Sequence, residues 1–98
     1  DFTGESQVIV DGATLDLVDY TESLNLAKGI TNSLNSKLEN ALDAYVPGAL
    51  GSAKTVVNKL NGYINAVNAQ RGKKLTNEDA DYLIEEAEYV QVLVTILP

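Results

Sequence analysis

The chain reads as mainly α, an antiparallel three-helix bundle over residues 21–98 preceded by a β-hairpin or extended segment over residues 1–20. Three observations predict this class. Apolar residues recur at three- and four-residue spacings from Ala27 to Tyr45 and again from Leu50 to Val67, the period of one helix face. Helix-stopping residues follow each row, Pro47-Gly48 after the first and Arg71-Gly72 after the second. Before Thr21 the pattern is instead alternating.

That alternation runs through Gln7-Val8-Ile9-Val10 and Ala13-Thr14-Leu15-Asp16-Leu17-Val18, on either side of Asp11-Gly12. An Asp-Gly pair favours the positive φ angles of a tight hairpin turn. A lone hairpin is marginal in water, so it is expected to lie on the bundle, to pair with another chain, or to be a partly ordered leader. From Thr21 the first helix follows, with Ala27, Ile30, Leu34, Leu38, Leu42 and Tyr45 on one face, ending near Val46. The second carries Leu50, Ala53, Val57, Leu60, Ile64 and Val67 and stops at Arg71-Gly72, where glycine accepts the left-handed conformation after a helix. The third starts at Thr76, a capping residue followed by Glu78, Asp79 and Asp81 at the positive end of the helix dipole. Its stripe is Ala80, Leu83, Ile84, Ala87, Val90, Val94 and Leu97. Residues 90–97 are β-branched, so an α+β alternative makes them a strand; helix is preferred because no turn residue separates Glu88 from Val90.

Ninety-eight residues with 45% hydrophobic content suffice for one domain with one core. The absence of cysteine and histidine removes disulfides, thiolate nucleophiles, the commonest general base and the commonest transition-metal ligand. Paired carboxylates remain, but Glu85, Glu86 and Glu88 crowd one short helical stretch and a domain this small has little room for a cleft. The chain is therefore read as non-enzymatic. Asn77, Asp79, Asp81, Glu85 and Glu88 match positions 1, 3, 5, 9 and 12 of a calcium loop, but Tyr82 occupies the position that needs glycine. These residues read as the first turns of a helix, and neither a metal nor a cofactor is expected.

Formal charge is −7, distributed as −6 over residues 1–27, +5 over residues 28–77 and −6 over residues 78–98. Such a balance repels nucleic acid and anionic membranes, and no apolar run is long enough to span a bilayer. A basic middle packed between two acidic ends is the expected arrangement. The cysteine-free composition suits an extracellular, cell-envelope or virion setting, with the cytoplasm a further option. No methionine is present and the chain starts at Asp1, so the native start is expected to lie upstream.

Two polar stripes are the candidate contact residues. Asn58, Asn61, Asn65 and Asn68 repeat at spacings of 3, 4 and 3 beside the second apolar row, and Gly29, Ser33, Ser36 and Asn40 form a similar stripe on the first helix. Amides donate and accept hydrogen bonds without bringing charge. Tyr63, between Asn61 and Asn65, is the aromatic expected to join them if it is exposed. The expected function is a non-catalytic protein-interaction or assembly module presenting this Asn/Ser/Tyr face to another protein, with self-association through the apolar residues 90–97 as one form. The alternatives are a glycan or small-ligand binding domain, and an acidic inhibitor of a basic protein surface.

Overall fold

A row of buried side chains at Val10, Thr14, Leu17 and Thr21 sets the architecture, because its 4, 3, 4 spacing is helical and it lies where a hairpin was expected. The computed structural model describes the backbone of residues 2–47 and 49–96 and the side chains of residues 7–47, 49 and 51–96. Among the described residues there are four helices and no strand: α1 (Phe2–Ser23), α2 (Lys28–Asp43), α3 (Leu50–Gln70) and α4 (Asn77–Ile96).

The bundle therefore has four helices rather than three, and the amino-terminal hairpin is corrected to α1. Asp11-Gly12 lies in mid-helix, where Gly12 adopts no turn conformation. Two threonines explain why the helical row is hard to read. Thr14 and Thr21 are buried, yet each hydroxyl donates to the carbonyl four residues back, Val10 at 2.9 Å and Leu17 at 2.8 Å. Their polar atoms are thus satisfied within the helix, and their methyls are available to the core. The expected helix start at Thr21 is corrected with it. The break falls after Ser23, where Asn25 takes a left-handed φ of 54°, a conformation asparagine tolerates better than most residues.

Helix α2 buries Leu34, Leu38 and Ala41, and Tyr45 continues the row just beyond its end. In the joint to α3, Ser52 accepts from the Val46 amide at 3.0 Å, and its oxygen lies 2.8 Å from the Val46 carbonyl. Gly48, the Leu50 side chain and Leu97 lie outside the described residues. Helix α3 buries Val56, Leu60, Tyr63 and Val67, with Ala53, Val57 and Ile64 packed at the edge. The expected row is thus rotated towards Val56 and Tyr63, since α3 must serve a neighbour on each side and needs a wider apolar face than a narrow seam supplies.

Gly72 closes α3 as expected, at φ +75°, and its amide donates to the Leu75 carbonyl at 2.7 Å, folding the buried Leu75 over the end of the core. A Cβ at Gly72 would meet nothing within 4 Å, so substitution there acts through the backbone alone. Gly72→Ala is expected to cost about 1–2 kcal/mol in urea denaturation, the penalty of a left-handed residue that carries a Cβ. Helix α4 starts as its sequence implies, with the Asp79 amide donating to the Thr76 hydroxyl at 3.1 Å. It runs unbroken to Ile96 and buries Ala80, Leu83, Ala87, Val90, Leu93 and Val94, so the strand alternative for residues 90–97 falls away over its described part.

Each helix runs alongside two others, α1 beside α2 and α4, and α3 beside α2 and α4, while the diagonal helices meet through core side chains such as Thr21 and Tyr63. Short joints make consecutive helices antiparallel, giving an up-down-up-down bundle around one core fed by all four. This topology has one electrostatic result: the first and last helices lie side by side. The Tyr20 hydroxyl of α1 donates to Asp79 of α4 at 2.9 Å, and the Tyr20 and Tyr82 rings lie with centroids 4.2 Å apart.

Candidate functional site

The four asparagines of α3 are all exposed. They line the edge shared with α4, and two are already engaged. Gln91 of α4 donates to Asn61 at 2.8 Å and to the Val57 carbonyl at 3.0 Å. Arg71 donates to Asn68 at 3.2 Å and to the Asn77 carbonyl at 3.1 Å, and pairs with Asp81 at 2.7 Å. Asn61 and Asn68 therefore help to join α3 to α4, whereas Asn58 and Asn65 make no side-chain hydrogen bond among the described residues.

Ser33, Ser36 and Asn40 are exposed on α2. Asn40 lines a shallow groove of about 150 Å³ with Lys37, Lys59 and Gly62, on the α2 side of α3. The two polar stripes thus flank α3 on opposite sides and do not merge into one face. Tyr63 joins neither. It is fully buried, because a residue two positions from Asn61 and from Asn65 points about 200° away from each around the helix. Burial pushes its phenol up to about 12. Thr21, whose hydroxyl donates to the Leu17 carbonyl, lies near enough to pull the other way, and the Tyr63 hydroxyl makes no well-formed hydrogen bond among the described residues. The expected combination of amides with an aromatic platform is therefore not assembled.

The acidic residues are arranged differently from the expectation of a basic segment between acidic ends. Helices α1 and α4 carry eleven acids and no lysine or arginine, and because they are neighbours they form one continuous acidic side. All seven basic residues lie between Lys28 and Lys74, in α2, α3 and the joint after α3. Among the described residues Arg71–Asp81 is the ion pair between the two regions, and with Asp81 63% exposed it contributes at most about 1 kcal/mol. The acids that matched a calcium register are strung along one continuous helix. Asp79 accepts from Tyr20 and Asp81 pairs with Arg71, and no metal-holding group of three acids occurs among the described residues.

The feature that sequence reading did not place is the apolar surface on that same acidic side. Tyr82, Tyr89, Val92 and Ile96 are exposed on α4, with Val92 at 53% and Ile96 at 69%. Their 7, 3, 4 spacing makes a second row, offset by two residues from the buried row Ala80, Leu83, Ala87, Val90 and Val94. Helix α1 adds Ile9, whereas Leu15, with Val8 seven residues before it, faces the other way and lines a groove with Glu39 and Leu42 of α2. Ile9 stands eleven residues before Tyr20, and Leu93 eleven after Tyr82, so the antiparallel register brings Ile9 across from the far end of the α4 row. Among the described residues eight large apolar side chains are exposed, seven of them on α1 and α4 and the eighth, Val46, in the α2–α3 joint. Two seven-residue steps, Tyr82 to Tyr89 to Ile96, were the available sequence signal. Reading them as a surface required knowing that α1 leaves them uncovered.

No described helix is long and apolar enough to cross a membrane. Comparison with protein-family models, with curated proteins and with solved structures finds no match.

Proposed function

We propose that this chain is a non-catalytic protein-interaction module that works through the side of the bundle formed by α1 and α4. The observation that carries the reading is the second apolar row of α4, since small soluble domains seldom leave ordered tyrosine, valine and isoleucine aligned on a surface without an interaction use. The polar stripes take a lesser part. Asn58 and Asn65 offer free amides for the rim of a contact, and Asn61 and Asn68 hold the two helices together. The glycan-binding alternative loses its aromatic platform with the burial of Tyr63. Acting on a basic target surface remains within this reading, and the cysteine-free composition suits an exported or envelope setting.

An environment-sensitive apolar dye tests the reading. The wild-type chain is expected to bind it with its near-ultraviolet circular dichroism intact, and Tyr89→Ser combined with Val92→Ser is expected to remove most of that binding. Both side chains are more than half exposed, so the double variant should lose no more than about 1 kcal/mol of stability. Dye binding unchanged by the double variant, or absent from the wild type, would overturn the proposal.

A further inference from the structure

We infer that the α1/α4 side docks a cationic amphipathic helix of another protein; this rests on the interaction reading above and specifies the partner's chemistry. Two properties coincide on this side. The anchors Tyr82, Tyr89, Val92 and Ile96 sit at 7, 3 and 4 residue steps, the row that a partner helix meets with its own i, i+3, i+4 and i+7 residues. Asp81 and Glu88 are exposed along one edge of this row and Asp16 on α1, Glu85 stands within it between Tyr82 and Tyr89, and neither helix carries a basic residue. A partner must therefore bring apolar residues along one face and positive charge along its edges. From Tyr82 to Ile96 the row rises roughly 21 Å, the length of a helix of about 14 residues.

A second copy of the chain does not fit these requirements. Pairing α1/α4 with its own symmetry mate sets Asp16, Glu85 and Glu88 against their own copies with no basic residue on either helix, and like charges at close approach oppose the contact. The α2/α3 side of another copy offers lysines, but among the described residues no exposed large apolar side chain lies on α2 or α3. It meets the charge and leaves the apolar row uncovered. The fit is with a foreign helix that carries both.

The experiment is a fluorescence titration of the full chain with three labelled 14-residue peptides: a leucine/lysine amphipathic helix, a leucine/glutamate helix of the same pattern, and a scrambled leucine/lysine sequence. The leucine/lysine helix is expected to bind at least tenfold more tightly than either control. Glu85→Lys with Glu88→Lys is expected to weaken it tenfold or more, as is Tyr89→Ser with Val92→Ser, and Asn58→Ala with Asn65→Ala is expected to leave it unchanged. Raising salt should weaken the complex, since the acidic rim is solvent-exposed. Equal binding of the glutamate helix, equal binding of the scrambled peptide, no binding of any peptide, or a concentration-dependent dimer abolished by the Tyr89/Val92 variant would each overturn the inference. The dye result reports separately on the interaction reading, so failure of the cationic partner and failure of the surface itself are distinguishable.

Discussion

Leu17→Ala is expected to destabilise the protein by about 2–5 kcal/mol, whereas Leu15→Ala, two residues away, should change stability by less than about 0.5 kcal/mol. Leu17 is 1% exposed and lies in the core row with Val10, Thr14 and Thr21, whereas Leu15 is 58% exposed. The contrast separates a helix that completes the core from a hairpin or leader lying outside it. In the alternating pattern Leu15 and Leu17 share a face and should respond alike. In the helix they point about 200° apart and should not. Urea denaturation of both variants decides the matter. A marginal domain loses a large part of its stability in the Leu17 variant, so a cooperative transition at 10 °C as well as 25 °C should be recorded.

The second large effect is alkaline unfolding. Burial raises the Tyr63 phenol to about 12, above its ordinary value of 10.0. The folded state therefore holds that proton more tightly than the unfolded state. The associated stability is fully present below pH of about 10 and is lost as pH rises towards 12, by about 3 kcal/mol in total at 1.36 kcal/mol per unit. Tyr20 shifts in the same direction, chiefly because its hydroxyl donates to Asp79. Tyr63→Phe is expected to flatten most of this alkaline loss and to leave stability at pH 7 equal or slightly higher, because it removes a sealed hydroxyl with no well-formed hydrogen bond among the described residues. Denaturation midpoints of wild type and variant between pH 7 and pH 12 check both halves. A variant strongly destabilised at pH 7 would indicate that the hydroxyl is bonded after all.

Helices α3 and α4 were legible because their signals agree: apolar rows with helical spacing, glycine where φ must be positive, and a threonine cap before acidic residues. Helix α1 was obscured by side chains whose local meaning differs from their role. Asp11-Gly12 is a turn signal in isolation, and Thr14 and Thr21 break an apolar row unless their hydroxyls bond back to the helix. Burial against α2 and α4 overrides the local preference, a long-range effect that a window of residues cannot report. Exposure of the four asparagines was readable from their offset to the apolar row. The engagement of Asn61 and Asn68 was not, because Gln91 is thirty residues from Asn61, and the Asn68 site depends on where Arg71 finds Asp81. The acidic, apolar side was hidden for a related reason. Each half is visible in its own helix, but their union follows only once residues 2–23 are a helix that closes the bundle against the last one.

The central claim is that α1 is a helix lying against α4, and a nuclear Overhauser experiment between the Tyr20 and Tyr82 rings tests it most directly. Strong ring-to-ring cross-peaks are expected at the 4.2 Å centroid separation, together with sequential amide cross-peaks through Asp11 and Gly12. Absence of the ring cross-peaks, with cross-strand contacts between residues 7–10 and 13–18 in their place, would contradict it.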